Sequence, residues 1–178
     1  MRTFLLIVLI FGIVIPAVVA ASWAVTQTMI EQTSGEAFCT SCHTMEPMGK
    51  AYGQDIHGGN NGNGTVAECT GCHLPHGNAV VYLFEKGKRG LLDVWAQNTH
   101  DLKAIDWHAM RERREEYVFD SGCLHCHANL ERGTMASNKA FVAHKPYFLG
   151  ETSKKCVTCH QHVGHKDLGS HLGAGGTS

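Results

Sequence analysis

The sequence has no cysteine to spare. It holds eight in 178 residues, and all eight fall in four C-x-x-C-H motifs, CTSCH (39–43), CTGCH (69–73), CLHCH (123–127) and CVTCH (156–160). No pair is left for a disulfide framework. Long apolar runs are missing after residue 25, and aromatics make up only 8% of the chain. Side chains alone therefore cannot fill a large interior. Charge of either sign is also sparse, 15 Lys and Arg against 16 Asp and Glu for a net charge of −1, so composition argues neither for nucleic acid nor for a strongly acidic partner. What is plentiful is glycine (20) and histidine (13).

Paired cysteines can also mean structural zinc. Zinc joins two C-x-x-C pairs in one tetrahedron, and that chemistry has no need of a histidine directly after the second cysteine. Covalent c-type haem does have that need, because the last residue of the motif delivers an imidazole to the iron. Four complete motifs predict four c-type haems attached at Cys39, Cys42, Cys69, Cys72, Cys123, Cys126, Cys156 and Cys159, with His43, His73, His127 and His160 as motif histidines. The expected fold class is mainly α with much irregular structure: one N-terminal transmembrane helix plus a small multihaem c domain whose core is the haems.

From Phe4 to Val25 the chain carries no charge. As a helix this segment covers roughly 33 Å, enough for a hydrocarbon core. Arg2 is the one flanking charge on the amino-terminal side, which keeps that end in the cytoplasm and sends the motifs outside. The alternative is a cleaved signal peptide, with Val18 and Ala20 as small-residue cleavage positions; apolarity that continues through Trp23 to Val25 favours a retained anchor. Pro16 is tolerable in a membrane helix. The organisation expected is 1–25 anchor, 26–36 polar connector, 37–168 haem domain and 169–178 flexible tail.

Along the domain, GGNNGNG (58–64) reads as a flexible loop. Residues 79–97 place Val80, Phe84, Leu91 and Trp95 on one helical face, with Lys86, Lys88 and Arg89 elsewhere. That pattern fits a helix at the membrane surface or an amphipathic helix on the haem core. A second helix is expected over 101–120, with RERREE (111–116) as its solvated stripe and Gly122 ending it. The intervals between successive motifs contain 25, 49 and 28 residues, so each haem is wrapped individually.

Nine histidines lie outside the motif-final positions, more than four irons can use as second axial ligands. His125 and His162 look exposed, and His76, His100, His108 and His171 are weaker candidates than three others. His165 follows His160 too closely to wrap round the same haem and should serve a neighbour. His57 precedes a loop long enough to reach a haem attached later. His144 is free to approach the fourth haem from its other side. At the first motif, His43 and Met45 approach the same face and compete for the iron, so the other face stays open or is covered from a distance.

The single anchor, the four motifs, the opening CTSCHTM, the segment CHLPHGN (72–78), the pattern of Lys86, Gly90 and Asp93, and the closing CHQHVGH resemble the NapC/NirT/NrfH family of membrane-anchored tetrahaem quinol dehydrogenases over nearly the whole chain. Within it the chain is most similar to the NrfH branch, the small subunits of cytochrome c nitrite reductase. The resemblance implies Met45 rather than His43 as axial ligand of the first haem, with Asp93 near its other face. Lys86 and Asp93 would border the pocket where menaquinol gives up electrons and protons, as the catalytic pair. His57 would complete the third haem and His165 the second.

The resemblance further implies an inner-membrane protein with a single pass and its haem domain in the periplasm. Its partners would be lipid, menaquinol and a periplasmic multihaem reductase with an NrfA-like catalytic subunit; no nucleic acid is implied, and self-association is left open. Two departures stand out. GGNNGNG lengthens the path from His57 to the second motif. Some family members take the last ligand of the fourth haem from a partner's lysine and others from an internal histidine, which His144 resembles. Other functions kept open are a donor to another periplasmic reductase, and a soluble multihaem shuttle with no quinol site.

Overall fold

The computed structural model describes residues 1–172. The last six residues of the expected flexible tail lie outside the described residues, while its first three belong to a helical turn, Leu168–His171.

A continuous helical span, Arg2–Gln32, contains an 18-residue window with a mean hydropathy of 3.1, none of it buried against the rest of the chain. Its turns widen to π geometry over Ile10–Val14, directly before Pro16. Proline cannot donate an N–H, and its ring crowds the carbonyl four residues back, so a widened turn is a local relief of that conflict. The 31 residues span roughly 46 Å, so the helix outruns the hydrocarbon core. The expected connector 26–36 is thereby corrected, since most of it continues the anchor helix. Thr26 and Thr28 turn their hydroxyls onto the carbonyls of Ser22 and Ala24, each at 2.9 Å, which keeps these polar residues compatible with the helix.

Among the described residues there is no strand, only the isolated bridge between Gly58 and Val66. The fully enclosed apolar residues are few: Ala51, Tyr52, Leu74, Val157 and Leu172. Five side chains of this size are too little apolar area to order such a domain. The expectation that haems form the core agrees with a continuous cavity of about 1940 Å³ through the domain. Ordinary small-molecule pockets reach roughly 1,000 Å³.

The motifs follow one another in space as they do in sequence. The Thr70 amide donates to the Ser34 carbonyl, just before the first motif, at 3.3 Å. The Phe119 amide donates to the Cys72 carbonyl at 3.0 Å. A Cβ on Gly122 would stand 2.0 Å from the Gly71 carbonyl oxygen. Asp120 accepts from the Cys156 amide at 3.0 Å and from the Tyr147 phenol at 3.0 Å. First to second and second to third are thus joined by backbone, and third to fourth through the Asp120 carboxylate.

Three expectations need correction. GGNNGNG is an ordered turn: Asn61 donates its amide to Ile56 and Thr65, both at 2.7 Å, and accepts from the amides of Asn63 and Thr65. A carboxamide that can donate and accept at once substitutes for regular backbone pairing. The helix expected over 101–120 is broken into Leu102–Ala104, Trp107–Glu112 and Arg114–Glu116, while Gly122 lies inside the next helix, Asp120–Cys126. The arginines of RERREE, finally, do not form a uniformly solvated stripe, because Arg111 and Arg114 line the cavity.

The helix over residues 79–97 does form, as Ala79–Thr99, with the Asn78 side chain capping the Val80 and Val81 amides. Phe84, Leu91 and Trp95 are 66%, 74% and 65% exposed. Lys86, Gly87, Gly90 and Asp93 line the cavity, and Leu91 also borders it. Gly87 and Gly90 do not break it; with no side chain they leave that side of the helix flat toward the cavity.

Candidate functional site

Three histidine pairs face each other across the cavity. His73 and His165 have ring centroids 6.0 Å apart, His57 and His127 are 6.3 Å apart, and His144 and His160 are 5.9 Å apart. Two imidazoles on opposite sides of one metal, each with a metal–nitrogen bond of roughly 2 Å, put their centroids about 6 Å apart. Each pair joins one motif histidine, of the second, third and fourth motif in turn, to one histidine from elsewhere in the chain.

The second ring nitrogens tell the same story. The Nδ1 atoms of His73, His165 and His144 lie 2.9, 3.1 and 2.8 Å from the carbonyls of Tyr117, Met48 and Ala140. Nδ1 of His57 lies 2.9 Å from Asp55 Oδ1. A carbonyl or carboxylate only accepts, so Nδ1 must donate, and the lone pair is left on Nε2. That arrangement fixes ring and tautomer as metal-bound histidines require. Burial pushes the His73 imidazole down to about 4, with His165 adding to the effect, and burial also lowers His165. Both rings are neutral at pH 7, the form that offers a lone pair.

The eight cysteines are all free of disulfides, and seven line the cavity, Cys42 being the exception. The residues present therefore fit covalent haem at the second, third and fourth motifs in both attachment and axial geometry. His76, stacked on His125 at 5.1 Å, and exposed His100 and His162 face no motif histidine.

The first motif differs. His43 is exposed, whereas Met45 is half-buried and lines the cavity with Cys39. Across the same cavity wall stand Lys86 and Asp93. The Lys86 ammonium donates to the Thr33 carbonyl and to the Ser34 hydroxyl, each at 2.9 Å. It closes the carboxyl end of the anchor helix, where a cation is favoured. Ser34, 1% exposed, in turn donates to the Ile30 carbonyl at 2.5 Å. Asp93 stands at the cavity rim, where loss of solvent pushes its carboxyl above the ordinary carboxylate range against the pull of Arg89. Arg89 lies over the Phe119 ring at 5.2 Å and pairs with Glu85 at 3.3 Å.

Lys86, Asp93 and Met45 were each singled out by sequence, and all three line the same cavity. Arg111 and Arg114 were missed. Their charge run carries no signal of inward direction except its period: residues 111, 114 and 115 share one side of a turn and are half-buried, whereas 112, 113 and 116 are exposed.

Comparison with known proteins gives a consistent result. Residues 1–169 match the family described as NapC/NirT cytochrome c family, N-terminal region. The chain is 31% identical over 175 residues to the tetraheme c-type cytochrome CymA of Shewanella oneidensis, covering 90% of both. It is 28% identical over 177 residues to the cytochrome c-type protein NapC of Escherichia coli, covering 92% of this chain and 81% of that one. Its fold is similar, with a TM-score of 0.55 and 24% identity, to a chain in the crystal structure of the cytochrome c nitrite reductase NrfHA complex bound to the HQNO inhibitor, covering 93% of this chain and 98% of that one.

Proposed function

The chain belongs to the NapC/NirT cytochrome c family, a membrane-anchored c-type cytochrome that transfers electrons, and on that premise we propose that it is a quinol dehydrogenase. Menaquinol would bind beside the first C-x-x-C-H motif and be oxidised there, and c-type haems held at the four motifs would supply the one-electron carriers toward a periplasmic reductase. The observation that carries this reading is the position of Lys86 and Asp93. Both line the cavity from a helix that also exposes Phe84, Leu91 and Trp95, and Lys86 bonds the end of the anchor helix. A lipid-soluble substrate can reach such a site from the bilayer surface.

In this reading Met45 and the motif histidines His73, His127 and His160 would hold the haems, with His165, His57 and His144 as the further ligands at the second, third and fourth motifs. Haem supplies one-electron chemistry at a potential set by its axial ligands. The chain does the rest. Lys86 orients a quinol oxygen by donating a hydrogen bond. Asp93 accepts a proton as the quinol is oxidised, which requires its carboxylate form. The motif-by-motif contacts, backbone at the first two joints and the Asp120 carboxylate at the third, keep the four sites in an unbroken series. The helix Ala79–Thr99 rests its apolar face on the periplasmic surface of the inner membrane, and the domain lies on that side.

The terminal acceptor proposed is a cytochrome c nitrite reductase with an NrfA-like catalytic subunit. A second reading, in which the protein donates to several periplasmic reductases, draws on one specific observation: His144 and His160 can close the fourth site without a partner's side chain. The test of the quinol site uses Asp93→Asn. Reduction by a menaquinol analogue should fall about 100-fold or more, the size of a single general-base contribution, while dithionite still reduces every haem. Quinol kinetics equal to those of the unsubstituted protein would remove Asp93 from the site. Mild-detergent purification from native membranes then identifies the reductase by what copurifies in stoichiometric amount.

A further inference from the structure

The run RERREE divides its side chains between two environments. Arg113 and Glu116 are exposed and pair with each other at 3.6 Å. Arg111 and Arg114 line the haem cavity. The Arg114 side chain is only 19% exposed, and its nearest carboxylate, Glu112 at 3.8 Å, is itself 76% exposed, too distant for a hydrogen bond. A guanidinium carries five donors in a planar fork that matches a carboxylate. Holding it in a cavity wall without a close acceptor is costly. Arg111 lies within 3.3 Å of His108 Nδ1. Gly169 comes so near that a Cβ there would stand 2.7 Å from the Arg111 guanidinium, so glycine at 169 leaves the space that this group occupies.

The segment carrying both arginines crosses two of the ligand sets. At its end, the Tyr117 carbonyl accepts from His73 of the second motif at 2.9 Å. Gly169 follows His165, the histidine facing His73, by four residues. In the middle, Glu115 accepts from the Thr158 hydroxyl with its carboxylate and from the Lys155 ammonium with its carbonyl. Lys155 immediately precedes the fourth motif, and Thr158 lies within it.

We propose that Arg111 and Arg114 bind haem propionate carboxylates, Arg111 at the second haem and Arg114 at the fourth, and that their charge raises the midpoint potentials of those two haems. The assignment rests on haem filling the cavity and is independent of where quinol binds. An added electron lowers the charge of a haem centre, so a fixed cation beside it stabilises the reduced form. The same arginines tie the second and fourth sites to one short segment, although their motifs are separated by the third.

The test is a redox titration of the purified full-length holoprotein in detergent, with dithionite as reductant. Arg114→Gln should shift one haem's reduction equilibrium about tenfold toward the oxidised form, a fall of about 59 mV for one electron. Arg111→Gln should do the same for a different haem, Arg114→Lys should shift its haem less, and Arg113→Gln should leave the curve unchanged. Titration curves of Arg111→Gln and Arg114→Gln that superimpose on that of the unsubstituted protein, at equal haem content, would overturn the proposal. If a glutamine variant does not retain its haem, Arg114→Lys decides the matter. Its propionate bending band in resonance Raman spectra shifts if the guanidinium holds the carboxylate, and an unshifted band overturns the assignment. Because no quinol enters either measurement, loss of the quinol site assignment leaves this result unaffected.

Discussion

His144 and His160 face each other with ring centroids 5.9 Å apart and planes inclined by 24°, and the Nδ1 of His144 is occupied by the Ala140 carbonyl one helical turn back. The helix Asn138–Phe148 thus aims one lone pair at the fourth motif. His144→Ala should convert one low-spin haem to high spin in low-temperature paramagnetic resonance spectra of the isolated protein. An unchanged spectrum would assign that ligand position to a partner's side chain.

Asp93 has its carboxyl raised above the ordinary carboxylate range, burial outweighing Arg89. Its neutral form therefore persists to a higher pH than in an unperturbed aspartate side chain. Since it accepts a proton only as carboxylate, quinol oxidation should decline as pH falls through this raised value. In Asp93→Asn the acidic limb should vanish from the rate profile. A limb that survives the substitution belongs to another group.

Asp120 joins the third and fourth motifs through the Cys156 amide and the Tyr147 phenol. Asp120→Ala leaves both donors without an acceptor, at a cost of about 1–3 kcal/mol. Tyr147→Phe removes one bond and should cost about 1 kcal/mol. Thermal unfolding of the holoprotein, followed by haem absorbance, ranks the two; equal midpoints for all three proteins would show that the clasp is inert.

Gly122 approaches Gly71 so closely that even a methyl group meets backbone at 2.0 Å. Backbone cannot swing aside as a side chain can, so Gly122→Ala should separate the second and third motifs and destabilise the domain by at least the roughly 1–3 kcal/mol of ordinary overpacking. The readout is the yield of fully haem-loaded protein by intact mass. Undiminished loading would mean that the two motifs tolerate separation.

The apolar face at Phe84, Leu91 and Trp95 should be labelled by a photoactivatable reagent dissolved in the bilayer, together with the anchor helix. Labelling confined to residues 1–32 would place that face away from lipid. Replacing Leu91 and Trp95 by Glu should abolish the second labelled region, because a charge in the interfacial layer opposes insertion.

Much of this was legible in the chain. Covalent haem chemistry writes itself into sequence because C-x-x-C-H is a local requirement, satisfied within one helical turn. The anchor is legible because a bilayer demands a minimum uninterrupted apolar length. The face of Val80, Phe84, Leu91 and Trp95 was legible by period, but what it faces was not, since an apolar stripe on a bilayer and one on a core look alike. The connector and the RERREE stripe were misread for related reasons. Polar residues continue a helix as readily as they leave it, and a charge run does not show which of its members point inward.

The sequence by itself determined the attachment of haem, the membrane tether and the shortage of aliphatic core, all of which follow from residue type at fixed local spacing. Only the tertiary structure decided which histidine faces which. The partners His57 and His127, His73 and His165, and His144 and His160 are separated by 70, 92 and 16 residues, and no local rule selects among nine spare imidazoles. That choice comes from packing short helices round one cavity, where carbonyls at Tyr117, Met48 and Ala140 and the carboxylate of Asp55 turn four rings to present Nε2.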